Sequence, residues 1–266
     1  MNGKLTLLLT NDDGYGSSGI RKLFNILSAD YNVIIVAPDS ERSGVGHAFT
    51  FNAPLHYEKM ESDPMGGYKV SGTPADCVKF AISYLLPQRP DIVVSGLNIG
   101  ENSGLSAFYS GTVAAAREGA FWNIPSFAFS LCTESQDYAQ EYAEMVPGMI
   151  RRIMSSENRT LPEDSKIFYN INFPPCPVSN VKGTAVTWQS MAFFDDRYER
   201  VEVESHRTKE GYMIYGEKKD VEISDAYDSR ALMNNHITIT PLSFDATAHS
   251  AMPHLRWLED EDFTKR

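Results

Sequence analysis

Five short apolar segments, separated by helix-like stretches and polar loops, limit what this chain can fold into. Leu5–Thr10, Asn32–Ala37, Asp91–Ser95, Ile124–Phe129 and Lys166–Phe173 are each too short for a helix and are rich in β-branched or aromatic residues. Between them lie Ser18–Ala29, Pro74–Leu86, Gly111–Phe121 and Gln136–Ser155, which read as helices. Strands that are apolar on both faces and alternate with helices predict an α/β fold, in which a mostly parallel sheet is covered by helices on each side. After Pro174 and Pro175 the pattern changes. Arg200–Ser205 and Tyr212–Gly216 read as a hairpin around Thr208-Lys209-Glu210-Gly211, His236–Pro241 as a last strand, and Ala246–Leu258 as a final helix.

The chain of 266 residues, 42% of them apolar, can bury one large α/β core. Its 35 acidic and 24 basic side chains leave a formal net charge of -11, with no Lys/Arg cluster dense enough to neutralise a polyphosphate backbone. Recognition of duplex nucleic acid is therefore not expected, and any phosphate-bearing ligand needs local help from a cation or from aligned backbone N–H groups. Cys77, Cys132 and Cys176 match no zinc or paired-disulfide spacing, which suits a reducing compartment. No apolar run is long enough to span a membrane, and the start of the chain does not read as a signal peptide. A cytoplasmic protein without a membrane partner is the expectation.

In parallel α/β sheets ligands bind beyond the carboxyl ends of the strands. Three such ends are polar here: Asn11-Asp12-Asp13-Gly14, then Pro38-Asp39-Ser40-Glu41-Arg42-Ser43, and Gly96-Leu97-Asn98-Ile99-Gly100-Glu101-Asn102. Adjacent carboxylates at Asp12 and Asp13 repel one another unless a positive charge lies beside them. Together with the Ser43 hydroxyl and the Asn98 carbonyl they make an oxygen-only donor set, which favours Mg²⁺, Mn²⁺ or Ca²⁺ over zinc. A helix cap at Asp12 followed by an Asp-Gly turn explains the same residues without a metal. A further rival lies in Gly14-Tyr15-Gly16-Ser17-Ser18-Gly19, which satisfies G-x-G-x-x-G and is followed by Asp39, as in a dinucleotide-binding oxidoreductase. That site relies on backbone N–H groups, and two carboxylates beside the pyrophosphate count against it.

Ser110, Gly111 and Thr112 precede an Ala-rich helix, where free N–H groups form an anion site, although an ordinary Ser/Thr cap accounts for the same residues. Asn11 joins them as a candidate phosphate contact. Ser71–Asp76 reads as a turn and cap with Pro74 at the first helical position. His47 is a candidate substrate contact or proton donor, set against the commoner structural role of a lone histidine.

Taken in order and spacing, TNDDG, APDSERSGVGH, SGTPADCVKFA, PDIVVSGLNIGENSG, YSGTVAAAREGA and NIPSFAFS resemble the SurE family of survival-protein nucleotidases, over most of residues 5–130. The resemblance implies a Rossmann-like three-layer fold and hydrolysis of nucleoside 5′- or 3′-monophosphates, with short polyphosphate as a further substrate. It implies one divalent metal per subunit, Mg²⁺ or Mn²⁺, at Asp12, Asp13, Ser43 and Asn98, with catalytic work expected from Asp12, Asp13 and Asn98. It also implies a protruding C-terminal β-hairpin that builds a homodimer or homotetramer. On this reading residues 1–180 form the catalytic core and 181–266 an extension completing the same domain. A nucleotide- or metal-binding regulator without catalysis is the remaining alternative. Asn234-Asn235-His236 departs from the family's glycine-aromatic pair at that point, and Asn there tolerates the left-handed backbone that glycine supplies.

Overall fold

Leu7, Leu8 and Leu9 are completely buried, because strand β1 (Thr6–Thr10) is flanked on both edges and covered on both faces. Its partners are β2 (Asn32–Pro38) on one side and β5 (Ile92–Ile99) on the other, both parallel to it. The computed structural model describes residues 3–133, 136–155, 166–202, 210–261 and 263. Outward from β2 come β4 (Tyr68–Val70) and β3 (Tyr57–Lys59); outward from β5 come β6 (Ser126–Leu131), β7 (Ile167–Phe173), β11 (His236–Ser243) and β8 (Gly183–Val186). From β4 to β7 every pairing is parallel, whereas β3–β4 and β7–β11 are antiparallel.

Within this sheet the direction in which successive strands are added reverses between β1 and β5. Loops leaving neighbouring strands there diverge to opposite faces, and the crevice they open is where α/β sheets bind ligands. The two faces are filled differently. Leu7 and Leu9 pack with α1 (Ser18–Leu27) and α5 (Ala139–Met154), while Leu8 and Val93 pack with Cys77 and Val78 of α2 (Pro74–Phe80) and Ala115 of α4 (Gly111–Phe121). The result is the three-layer arrangement expected from the sequence.

Helix starts follow their capping chemistry. Ser17 accepts from the Ile20 N–H, Thr73 and Asp76 form a reciprocal capping box with Pro74 at the first position, and Ser110 accepts from the Val113 N–H. The helix expected over Pro74–Leu86 ends at Phe80 and continues as a π turn over Ala81–Leu85.

Differences concentrate at the edges and in the last third of the chain. Strands β3 and β4 hold three residues each, too few to show a period. The hairpin is longer than expected: β9 (Phe193–Glu202) pairs antiparallel with β10 (Glu210–Lys219) as a separate two-stranded sheet. Nearly all of its residues are exposed, so neither face imposes the apolar alternation by which strands are recognised, and Asp195-Asp196-Arg197 hid the first half. Residues 203–209, with Thr208 and Lys209 of the expected turn, lie outside the described residues. In place of a helix over Ala246–Leu258 there is one turn, α7 (Met252–Leu255), and a 3₁₀ segment over Arg256–Asp260. That stretch buries no residue, and short helices without a packed face are marginal. Asn235 does adopt φ = 66°, as its replacement of glycine required. Among the described residues no helix is long and apolar enough to cross a membrane.

Candidate functional site

The turn after β1 is built from inside. Asn11 is fully buried and its amide donates to the Gly14 carbonyl at 3.0 Å and to Ser17 Oγ at 2.7 Å, tying the turn to the cap of α1. Gly14 has φ = 92°, and a Cβ there would lie 3.2 Å from the backbone carbon of Ser40. The loop after β2 is zipped to this turn, since the Tyr15 N–H donates to Pro38 O and the Arg42 N–H to Asp12 O.

Asp12 is 5% exposed and points at the start of α4. Its carboxylate accepts from the Thr112 hydroxyl at 2.5 Å and from the Thr112 N–H at 3.2 Å. Gly111 makes that approach possible, because a Cβ in its place would stand 2.8 Å from Asp12 Cβ. Thr112 thus orients Asp12, while the Ser110 hydroxyl and the Gly111 N–H flank the same helix start. From the adjacent strand comes Asn98, beyond a bulge between Ser95 and Asn98. Its amide nitrogen donates to Gly100 O at 2.7 Å, which fixes the orientation of the side-chain amide. Ser43 is exposed on the third loop, with its hydroxyl on Glu41 Oε1 at 2.8 Å.

Several residues missed in the sequence hold this edge in place. Asn102 donates its backbone N–H to Asn172 Oδ1 and its amide to Ser130 Oγ, and its carbonyl accepts from Asn170, so the loop after β5 is anchored to β6 and β7. Lys218, at the base of the hairpin, pairs with Glu101 at 2.6 Å and donates to Ser103. Arg42 bridges Asp39 and the Ser71 carbonyl, with its Nε buried and without a partner among the described residues. For Arg42, Glu101 and Asn102 the sequence signal was their position in the loops already singled out; Lys218 and the asparagines of β7 gave none.

Charge at the edge is unbalanced. Burial raises the Asp12 carboxyl above its ordinary value despite the hydrogen bonds from Thr112. Asp13 is pushed up to about 6, first by burial and then by the charges of Asp12 and Glu41. Among the described residues neither aspartate is in an ion pair, and no three His, Cys, Asp or Glu side chains cluster as a metal site. A cation here would draw on two carboxylates plus the neutral oxygens of Asn98 and Ser43, a hard donor set. The repulsion between Asp12, Asp13 and Glu41 is what such an ion relieves, so the residues fit a divalent cation.

His47, in the loop after β2, packs against the far end of α4. Its Nε2 meets Glu118 at 3.0 Å and its ring stacks on Phe121 at 5.3 Å. Glu118, 2% exposed, also accepts from Lys79 and from Trp122 Nε1. Burial pushes its carboxyl up, but the hydrogen bonds from His47, Lys79 and Trp122 outweigh that and hold it below the ordinary 4.5. The network therefore stabilises the fold above about pH 4.5 and loses that contribution as acid protonates Glu118 in the folded state. Glu118→Gln is expected to lower stability by about 2 kcal/mol at neutral pH, since hydrogen bonds to a buried charge are weakened together. Denaturant unfolding at pH 7 and pH 4 checks this: the gap between variant and parent narrows at the lower pH.

The fold and this edge define an α/β protein of the Rossmann-like class, with an acidic, oxygen-lined crevice opposite a helix N-terminus at the switch point of its sheet. The family model described as Survival protein SurE matches residues 7–196, and the chain belongs to the SurE family. It is 42% identical to 5'-nucleotidase SurE of Syntrophus aciditrophicus (strain SB), over 94% of this chain and 92% of that protein. It is 35% identical to 5'-nucleotidase SurE of Flavobacterium psychrophilum, over 95% and 96%. Among solved structures, the SurE protein from Aquifex aeolicus superposes with a TM-score of 0.79 at 36% identity, covering 96% of this chain and all of that one.

Proposed function

We propose that this chain is a metal-dependent 5'-nucleotidase that hydrolyses nucleoside monophosphates at the edge formed by Asp12, Asp13, Ser43 and Asn98. The observation that carries the reading is the pair of adjacent carboxylates Asp12 and Asp13, neither of them in an ion pair among the described residues, with Asp12 held against the start of α4. In a protein of net charge -11 an anionic substrate needs that local sign reversed. The near-full-length kinship with proteins named 5'-nucleotidase SurE supports the activity.

Asp12, Asp13, Asn98 and Ser43 would hold the ion, with Mg²⁺ or Mn²⁺ as the fitting species. When bound, a divalent cation supplies charge neutralisation on phosphoryl oxygens and acidifies water. The chain's own part is positioning. Thr112 fixes the rotamer of Asp12, the Gly111 N–H and Ser110 hydroxyl donate to phosphate oxygens, and the Lys218–Glu101 pair steadies the loop that carries Asn98. Asp13, next to Asp12 at the end of β1, would share the ion with it and help orient the attacking water. Buried Asn11 contributes by bracing the turn, and His47 by holding Glu118. Strands β8 and β11 lie in the main sheet, which supports treating residues 181–266 as completing the domain of residues 1–180. The exposed hairpin supports assembly as a homodimer or homotetramer, and a cytoplasmic setting suits the three free cysteines.

Phosphate release from a panel of nucleoside 5′- and 3′-monophosphates, in Mg²⁺, Mn²⁺ or Ca²⁺ and after chelation, tests the proposal. Chelation is expected to lower the rate at least about 100-fold, with recovery on adding Mg²⁺ or Mn²⁺. Undiminished hydrolysis after thorough chelation rejects the metal role, and no hydrolysis of any nucleotide rejects the activity.

A further inference from the structure

A cavity of about 860 Å³ opens beside the C-terminal half of α4, away from the metal edge. Its lining includes none of Asp12, Asp13, Ser43, Asn98, Ser110 or Thr112. The rise of an α-helix puts Arg117 roughly 9 Å along the axis from Gly111. That volume is the size of a small-molecule site rather than of a packing defect.

Its walls are aromatic and held from behind. Phe121 is clamped between His47, stacked at 5.3 Å, and Phe244, edge-on at 4.5 Å. Trp188 lines the same cavity and is 74% exposed, although its backbone is fixed, with N–H on Ala226 O and carbonyl taken by the Asp228 N–H. A rigid backbone that presents an indole to solvent beside other rings is a stacking surface without its partner.

Arg117 supplies the polar group. Its guanidinium lies over the buried Phe168 ring at 5.5 Å and, among the described residues, has neither an ion pair nor a hydrogen bond. Half-burial pulls it below its usual range, a sign that the charged form is losing water without gaining a counter-ion. Five N–H donors in a planar fork, on a side chain that lines the cavity, are left without a protein partner among the described residues, in a chain otherwise rich in carboxylates. The acid at the rim, Asp245, is engaged elsewhere, accepting from the Thr247 N–H and His249.

We propose that this cavity is a second ligand site, which takes a planar aromatic ring carrying one anionic group, the ring against Trp188 and Phe121 and the anion on Arg117. The inference stands apart from the nucleotidase reading, because neither the metal edge nor phosphate transfer enters it.

Isothermal titration of the full chain with 2-naphthoate and with neutral, isosteric 2-naphthamide tests it. The expected result is one saturable site per chain, with naphthoate bound at least about tenfold more tightly, since one charge-assisted fork contact is worth that much. Arg117→Gln removes the preference, Arg117→Lys keeps part of it, and Asp12→Asn leaves it as it is. Absence of saturable naphthoate binding to the parent chain, or equal affinity for the two probes, overturns the proposal whatever the variants do. So does a preference that survives Arg117→Gln or disappears in Asp12→Asn.

Discussion

Asp12→Asn is expected to lower nucleotide hydrolysis about 10³-fold, close to 4 kcal/mol of barrier, while leaving the fold intact. The size follows from what the substitution removes. Asp12 is almost buried, is held by two hydrogen bonds from Thr112, and carries the charge that would bring the ion and the substrate phosphate together. An asparagine keeps an oxygen that can accept from Thr112 but deletes the charge. Because burial already disfavours that charge in the metal-free chain, the variant should unfold at the same temperature as the parent or higher when metal is absent. Added Mn²⁺ should raise the parent's midpoint and leave the variant's in place. Steady-state phosphate release and thermal unfolding with and without metal check both halves. A variant that keeps parental rates removes Asp12 from the chemistry, and one that simply unfolds shows that its carboxylate is structural.

Gly19→Ala is expected to have the largest effect on stability, about 3 kcal/mol, through a contact between two backbones. A Cβ on Gly19 would stand 2.1 Å from the Leu97 carbonyl oxygen, so α1 must move off β5 or the bulge must open. For a domain of this size the unfolding midpoint should fall by roughly 6–12 °C. Leu97 directly precedes Asn98, so activity should fall beyond what the unfolded fraction explains. Gly16→Ala is the control, since nothing lies within 4 Å of a Cβ there, and its effect should stay within about 0.5 kcal/mol. Equal losses from the two substitutions would mean that loop flexibility, not helix–strand contact, sets the need for glycine in this segment.

Gly14 and Gly19 also explain why the dinucleotide fingerprint occurs in this sequence. Gly14 makes the turn with positive φ and Gly19 lets the helix lie on the strand, which are the first and third roles of that fingerprint. The local requirement belongs to the strand–turn–helix unit, whichever ligand it serves. Strands such as β1 and β5 were legible because burial on both faces forces an apolar run. Strands β9 and β10 were half legible because solvent on both faces removes any such constraint. At the candidate site, Asp12, Asp13 and Asn98 could be found from strand ends alone. The engagement of Thr112 with Asp12 could not, since it depends on the packing of Gly111 against Asp12, about a hundred residues away in the chain. Nor could the pairing of Lys218 with Glu101, which joins a hairpin to a loop far upstream.

The proposed function requires one divalent cation among four oxygen-bearing side chains, inverting the sign of an acidic edge. Anomalous diffraction from crystals grown with Mn²⁺ measures this most directly. One strong peak per chain is expected, within coordination distance of Asp12, Asp13, Ser43 and Asn98. A peak bound elsewhere, with those four side chains apart and nucleotide hydrolysis intact, would contradict it.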